Sequence, residues 1–394
     1  MALDRDKMFL ALSNIFRFFY VIASATVLQL YLGSLGANSF QISLLEASAW
    51  AGILLFAPIW GAISDMTKRR KGIMMLSILL SAAIIPFFGY VSSITLILFL
   101  RFLLTVIDSG FPPIALAITS QYGGTSERGR NMAVFNSSKS TGFALARILS
   151  GLFLTYLSFT ETFWYIGASG LLALVFASLI EKRESTDTRI EIKKVWNSIK
   201  NRLIPSGSLL QKKGLIFLYL GIFLRKAGII GTFSLIIYYM VSVQGISEGV
   251  MGVVVALNPV VQIVFMLIFG RTVDAVGRKK VFSLGFLATV PVPIIFAFST
   301  TPLAFSTGFI LLGVAFSAIT AGSTAFIGDV SPEHREAELL GYRKTAQGFA
   351  GILGPVISGL TSLYLGFAGM FYAMSGLMFI GFISAYLGTS ETFI

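Results

Sequence analysis

Gly61-x3-Asp65-x3-Arg69-Arg70-Lys71 recurs 209 residues later as Gly270-x3-Asp274-x3-Arg278-Lys279-Lys280. Each copy stands between two long apolar runs. A charged punctuation mark repeated once per half of an apolar chain points to a duplicated membrane bundle, and few folds satisfy it. Charged residues make up 12% of the 394-residue chain, against about 25% in ordinary soluble domains. So little polar surface cannot cover a soluble core, so lipid is much of this chain's solvent. No cysteine is present, which excludes disulfides, thiolate metal sites and cysteine nucleophiles. The single histidine, His334, sits in a charged loop and offers no metal cluster and no catalytic triad.

Apolar runs long enough to cross a ~30 Å hydrocarbon core fall at about 9–32, 42–60, 73–92, 95–120, 132–157 and 163–180. They resume at 214–241, 249–269, 281–299, 304–327, 342–364 and 367–388. The expected fold class is therefore all-α, with twelve transmembrane helices in two six-helix pseudo-symmetric halves. The first run is too long for a signal-peptide apolar region and has no small-residue cleavage site, so it is read as a retained helix. The expected organisation is a bundle over 1–181, a linker over 182–213 and a second bundle over 214–394. Within the linker, Ile190, Ile192, Val195, Trp196, Ile199 and Leu203 alternate with Lys193, Lys194, Lys200 and Arg202. That pattern reads as a basic amphipathic helix on the inner leaflet, or as a linker helix without a partner.

The net charge of +12 is topological. Twenty-four of the 30 basic residues fall at the N-terminus, in alternate loops, in the linker and at span ends on one side. The opposite loops carry none. By the positive-inside rule this places both termini and the basic loops in the cytoplasm, in a multi-pass protein of the cytoplasmic (plasma) membrane. It is not a nucleic-acid footprint.

An internal repeat sharpens the duplication. At an offset of 208, Arg17 falls on Arg225, Ser24 on Thr232, Tyr31 on Tyr239, and Ser150-Gly151 on Ser358-Gly359. Parallel repeats in register are the arrangement of transporters whose two six-helix halves surround a midplane site.

Taken together, the duplicated cassette, twelve spans, basic central loop and repeated halves resemble the major facilitator superfamily over essentially the whole chain. Glu127-Arg128-Gly129-Arg130, and Asp329-Val330-Ser331-Pro332-Glu333 with Arg335, resemble its shorter loops. The resemblance implies that Gly61, Asp65, Arg69, Arg70, Gly270, Asp274, Arg278 and Lys279 form gating loops. There Gly61 and Gly270 would let spans 2 and 8 approach the opposite half closely. The alternative is that the basic residues only set topology, the preferred reading for Lys71 and Lys280. Gly351-x2-Gly354-Pro355-x3-Gly359 in span 11 is similar to the glycine-proline element of drug and proton antiporters. Span 5 departs from it, with Arg147 where that element has proline. Arg147, Gly354 and Pro355 are thus expected at a hinge or at the contact between halves.

Charges inside the spans are the functional suspects. They are Arg17, Arg101, Lys139, Arg147, Arg225 and Lys226, with the acids Glu46 and Asp108. Arg17 and Arg225 lie ~13–17 Å into their spans. Steps of seven align Arg17 with Ser24 and Tyr31, and Arg225 with Thr232 and Tyr239. The resemblance implies that spans 1, 4, 7 and 10 line a central cavity. Arg17, Ser24, Tyr31, Arg101, Arg225, Lys226, Thr232 and Tyr239 are then substrate-binding candidates, and Asp108 and Glu46 proton-coupling candidates. Three roles stand open for Arg17 and Arg225: substrate ligand, structural ion pair, or coupling group. For Arg101 and Arg147 the structural role leads. Asn14, Asn136, Asn258 and Gln262 suit a cargo or helix–helix hydrogen bonds equally. Pro112-Pro113 should bend span 4.

The resulting expectation is a secondary transporter of a small organic solute, with an anionic or amphipathic one favoured, coupled to protons and working by alternating access. The alternative is a broad-specificity multidrug/proton antiporter. No Gly-x4-Gly-Lys-[Ser/Thr] loop is present, which argues against ATP-driven transport. Neither an enzyme activity, a cofactor, a bound metal nor a nucleic-acid partner is expected. The partners are a small-molecule substrate, the lipid bilayer and H+, and the chain is expected to be a monomer.

Overall fold

The computed structural model describes residues 2–67, 69–121, 128–181, 212–332 and 336–392. The linker helix expected within 190–203, the loop residue Glu127, and His334 with Arg335 lie outside the described residues. So do the side chains of Asp65, Arg128 and Arg130.

The described chain is helical, and twelve crossings follow from it. Ten helices among the described residues are long and apolar enough to span a membrane. One of them, within Glu336–Gly388, breaks its helical backbone at Gly366 (φ 71°, ψ 178°). That conformation suits glycine and makes the helix two antiparallel spans, the eleventh and twelfth. The fifth span, Arg128–Tyr156, completes the set; it carries Asn131, Asn136, Lys139 and Arg147 and is more polar than its neighbours.

In chain order the first span is Ala2–Ser34 and the second Ser39–Thr67. The third is Arg70–Ile84, extended by a 3₁₀ turn over Ile85–Tyr90. The fourth is broken into Ile94–Asp108 and Phe111–Gln121, which places the bend just before Pro112-Pro113. The sixth is Phe159–Ser178. The seventh runs Leu215–Phe233, breaks, and continues as Ile236–Tyr238 and a π-turn over Tyr239–Val243. The eighth is Glu248–Val276, the ninth Arg278–Thr289 with Pro291–Phe298, and the tenth Pro302–Val330.

Helix starts obey local chemistry. Ser93 and Thr301 cap spans 4 and 10 by accepting from the backbone N–H groups of Leu96 (3.4 Å) and Ala304 (3.3 Å). Ser158 and Glu161 form a reciprocal capping box on span 6. The two caps on spans 4 and 10 are 208 residues apart, so the repeat is in register there at the level of individual hydrogen bonds.

The first and last described segments lie at the end of the bundle that carries the cassettes. Glu181 N–H donates to Asp6 (3.1 Å), and Ser390 N–H donates to the Lys213 carbonyl (3.2 Å). Lys71 Nζ donates to the Ser178 and Ile180 carbonyls (2.7 and 2.5 Å) and Lys279 Nζ to the Thr389 carbonyl (2.7 Å). These two lysines, again 208 apart, each meet carbonyls at the end of their half's last span, where a cation is favoured.

Spans 1–6 pack on one another, as do spans 7–12, and the halves meet along spans 2 with 11 and 5 with 8. Glycines make both seams. A Cβ at Gly151 would strike the Glu248 carbonyl and lie 3.1 Å from Gly252 Cα, and one at Gly359 would strike Ser43 Oγ and lie 2.9 Å from Phe40 Cα. Gly151 and Gly359 are a repeat pair, and so are the Phe40 and Glu248 positions they meet. The duplication read in the sequence is therefore a pseudo-twofold axis between the halves. Gly348 against Leu54 and Gly351 against Trp50 continue the first seam, and Gly252 against the Arg147 carbonyl the second.

The alanine substitutions Gly151→Ala and Gly359→Ala are expected to destabilise the bundle similarly, by about 1–3 kcal/mol each. Gly376→Ala, where a Cβ meets nothing within 4 Å, should leave the melting temperature of the detergent-solubilised protein unchanged. Thermal melts of the three variants check this.

Candidate functional site

The first span collects most of the buried polar contacts of its half. Arg17 and Asp108 form a two-pronged ion pair, with Nε–Oδ1 at 2.9 Å and Nη2 donating to Oδ2. Both side chains are almost wholly buried. Tyr20 OH donates to Asp108 Oδ1 (3.3 Å) and shares a hydrogen bond with Ser81 Oγ (2.9 Å). The Arg17 guanidinium also lies over Phe18 and Phe111, at 4.5 and 5.2 Å. Of the roles open to Arg17, the geometry is that of an ion pair inside one half.

Nearer the end opposite the cassettes, two more arginines lean on the first span. Arg101 Nη1 donates to Ser24 Oγ at 3.4 Å, and Arg147 Nη1 to Thr26 Oγ1 at 2.6 Å. In both, Nε is buried without a hydrogen-bond acceptor. Glu46 makes no direct ion pair among the described residues, yet its charge reaches Arg101, Arg147 and, from the other half, Lys226. One turn along the second span, Trp50 places its ring 5.1 Å from Lys226 Nζ. Glu46, Arg101 and Arg147 thus form one level about 10–14 Å from the far end of the bundle.

A second level, roughly 12–17 Å from the cassette end, is cationic. Lys226 feels the charges of Arg225, Lys139 and Lys344, so residues from spans 5, 7 and 11, in both halves, converge. Lys139 and Lys344 are exposed, although both lie well inside their helices. Lys139 Nζ lies 5.3 Å from the Phe18 ring. Arg225 is 6% exposed; its Nε and Nη2 have no acceptor, and its guanidinium lies 6.0 Å from the Phe316 ring. Arg343 is close enough to act on Arg225 electrostatically and donates to Thr324 Oγ1 (2.8 Å). Among the described residues, no carboxylate closes this level as Asp108 closes Arg17.

Other sequence candidates are placed differently from the stripe expected of them. Tyr31 packs its ring on Phe159 and Phe163 and donates to the Val91 carbonyl (3.2 Å). Tyr239 is buried among Phe305, Phe367 and Phe371, and Gln244 donates to its hydroxyl (2.8 Å). Thr232 donates back to the Gly228 carbonyl (2.8 Å). A step of seven does keep residues near one helix face, but Tyr31, Thr232 and Tyr239 turn into their own half. Asn14 ties span 1 to span 5 through the Phe135 carbonyl (3.2 Å) and Ser138 (2.8 Å), and Gln262 donates to Asn258. Asn136 is exposed.

Gln29 was not singled out by sequence. Its Nε2 donates to the Phe233 carbonyl (3.0 Å), at the point where the helix of span 7 breaks. This hydrogen bond joins the halves near the far end, where Gly33 also packs on Tyr238. An uncharged amide inside an apolar run was the available signal.

At the cassettes, Gly61 is buried, but Gly270 is exposed and a Cβ there would meet nothing within 4 Å. Among the described residues the close approach expected of Gly270 is not made, and the seams described run from mid-bundle to the far end. Arg69 is exposed and precedes the third span, its N–H 3.4 Å from Thr67 Oγ1. Arg70 opens that span. Arg278 binds Asp274 (3.1 Å) and Asp329 (3.1 Å) within its own half. The C-terminal tail completes this cassette: Glu391 Oε1 accepts from the N–H groups of Arg278 (3.0 Å) and Lys279 (3.1 Å). It caps a helix whose own N-cap, Gly277, has no side chain. Gly354 packs on Ala227 of span 7, inside its own half. Pro355 lies one residue on, within the helix. The Arg147 backbone does lie on a seam.

Asp108→Asn should lower stability by about 3–5 kcal/mol, because it strands Arg17 as an unpaired buried charge. Arg17→Met combined with Asp108→Leu should recover most of that loss, as thermal melts of the single and double variants would show.

Comparison with known proteins agrees with this architecture. The family model described as Major Facilitator Superfamily matches residues 10–246 and 215–392. An uncharacterised MFS-type transporter of Methanocaldococcus jannaschii, MJ1560, is 22% identical over 358 residues, 88% of each chain. The multidrug resistance protein MdtG of Proteus mirabilis is 21% identical over 374 residues, 91% of this chain and 90% of that one. Among solved structures, a bacterial homologue of the human lysosomal transporter Spinster, inward-facing and unoccupied, superposes with a TM-score of 0.79. It is 14% identical and covers 98% of this chain and 97% of its own, a likeness of fold. With the family model spanning both six-helix halves, the chain belongs to the Major Facilitator Superfamily and is an integral, multi-pass membrane transporter.

Proposed function

We propose that this transporter carries a small organic anion, coupled to protons, by alternating access. The observation that supports this reading is the cationic level of Lys139, Lys226, Lys344 and Arg225, drawn from both halves. An anion there would join the halves electrostatically, and its charge would offset four cations that have no carboxylate of their own at that level. Arg101 remains a candidate at the far level.

Glu46 is the proposed coupling group. It is the carboxylate whose charge reaches Arg101, Arg147 and Lys226, whereas Asp108, which also reaches Arg101, is occupied by Arg17. Protonating Glu46 removes negative charge beside Lys226 and strengthens the pull on an anion. By linkage the anion favours that protonation equally, which is the requirement for symport.

Residues 1–181 and 214–394 are proposed to rock as two bodies about the glycine seams, tethered by 182–213. The basic cassette end is proposed to face the cytoplasm by the positive-inside rule. The contacts between halves run from mid-bundle to the far end, so this conformation corresponds to opening on the cytoplasmic side. Asp65, Arg69, Asp274 and Arg278 would then exchange partners across the halves when that side shuts. Because the chain has no native cysteine, Ser34→Cys and Ser390→Cys test orientation directly. In intact cells, a membrane-impermeant maleimide should label the first and spare the second.

A second reading, broad-specificity drug efflux, is favoured by the likeness to MdtG. It predicts affinity for organic cations, which a cationic chamber repels. Thermal shift against organic acids and cationic dyes at two pH values separates the two readings. In proteoliposomes, Lys226→Gln is expected to reduce organic-anion uptake about 10–100-fold, the worth of a charge-assisted hydrogen bond. Glu46→Gln is expected to abolish the pH dependence of uptake. Unchanged uptake by Lys226→Gln would reject the anion site.

A further inference from the structure

The two halves repeat at an offset of 208, and spans 4 and 10 keep that register through equivalent caps at Ser93 and Thr301. On this register Arg17 corresponds to Arg225, and Asp108, the carboxylate that Arg17 binds, corresponds to Phe316. The structure shows the same correspondence in space. The Arg17 guanidinium meets Asp108, and the Arg225 guanidinium lies 6.0 Å from the Phe316 ring. Tyr20, which supports Asp108 through its hydroxyl, corresponds to Gly228, which packs on Met374 and Met378. The second half has therefore kept the cation and lost the whole acceptor assembly.

What remains is a guanidinium 94% buried (6% exposed), with Nε and Nη2 lacking any acceptor. Among the described residues, the charged groups acting on it are Arg343 on span 11 and Lys226 on its own span, and both are positive. A planar fork with two free donors is shaped for a carboxylate received side-on, as Arg17 receives Asp108. The Phe316 ring beside it presents an apolar, aromatic wall.

We propose that Arg225 is the carboxylate fork of the cargo site, with the cargo's carboxylate standing in for the aspartate that the second half lacks and Phe316 packing on the cargo's apolar body. This rests on the anion-cargo reading and narrows it to amphipathic organic carboxylates. Selectivity for carboxylates comes from Arg225, whereas Lys139, Lys226 and Lys344 supply attraction for anions of any kind.

The test uses the purified full-length protein in nanodiscs, with benzoate, benzenesulfonate and benzamide as probes in thermal-shift titrations. Benzoate is expected to stabilise the wild type, benzamide to do nothing, and benzenesulfonate to bind at least tenfold more weakly than benzoate. Phe316→Asp restores the missing partner. It should raise the melting temperature without ligand and weaken benzoate at least tenfold, while Phe316→Asn, which removes only the aromatic wall, should weaken benzoate less than Phe316→Asp does. If Phe316→Asp does not fold, Arg225→Gln serves instead. It should bring benzoate down to the level of benzenesulfonate without abolishing either.

Undiminished benzoate binding in Phe316→Asp, or an unchanged preference for benzoate in Arg225→Gln, overturns the assignment of Arg225. Equal response of the wild type to benzoate and benzenesulfonate also overturns it but leaves the anion reading standing. A wild type that responds to neither anion and is stabilised by cationic dyes removes the anion reading itself.

Discussion

A guanidinium held at bilayer depth needs a carboxylate, a hydroxyl or a water-filled space, because hydrocarbon supplies nothing to offset its charge. The first half of this protein is organised around that requirement. Its first span lends Ser24 to Arg101, Thr26 to Arg147 and Arg17 itself to Asp108. It also sends Ser13 to the Ala173 carbonyl, Asn14 to span 5 and Gln29 to the broken seventh span. One helix thereby fixes the positions of spans 4, 5 and 6 by polar contacts whose loss would leave buried groups unsatisfied. That specification matters in a bilayer, where lipid tails are as apolar as leucine and hydrophobic contact alone does not choose a neighbour.

Glycine does for the joint between halves what the first span does within one. At Gly151 and Gly359 the helices approach until backbone meets backbone. Elsewhere on the first seam, Trp50 and Leu54 seat their side chains on Gly351 and Gly348 of the facing helix. The seams are related by the pseudo-twofold, so a rocking motion loads both alike. The Gln29 bond to Phe233 also joins the halves near the far end, and opening that end would have to break or replace it. It is a single uncharged hydrogen bond, worth about 0.5–1.5 kcal/mol, weak enough for thermal exchange and for a bound cargo to bias.

Much of this was legible in the sequence because membrane topology is written in one dimension. Span length, the alternation of basic loops and the 208-residue offset all follow from counting, and the offset extends to individual caps and to the glycine pairs of the seams. The candidate site was legible only as a set of suspects. Periodicity placed Arg17, Ser24 and Tyr31 on one face, and they share it, but no count of residues says whether that face meets the cleft or the half's own core. Tyr31 goes to the core because Phe159 and Phe163 make an aromatic bed for it. Lys344 stands at the start of span 11 in the sequence, and only the three-dimensional packing of the halves brings its charge to bear on Lys226. The cap that Glu391 provides for Arg278 and Lys279 joins positions more than a hundred residues apart, beyond the reach of any local pattern.

The two halves share a fold and differ in charge accounting, and that difference bears on how cargo and motion are linked under the proposed anion reading. The first half neutralises Arg17 with its own Asp108, so its packing is indifferent to whether cargo is present. The second half leaves Arg225 and Lys226 without such a partner, and the seam brings Lys139 from the first half towards them. Closing the cassette end on an empty chamber would desolvate these cations together, with Glu46 as the carboxylate within reach of Lys226. An anion would offset that cost and let the chamber shut around it. Without cargo, an ionised Glu46 would do part of the same work. Loaded with proton and anion, or empty with Glu46 charged, the chamber differs by no net charge for a monovalent cargo. With the proton alone the chamber would carry one more positive charge than in either of these states. Under that reading the proton is disfavoured from travelling without the anion, and the coupling would reside in electrostatics at bilayer depth.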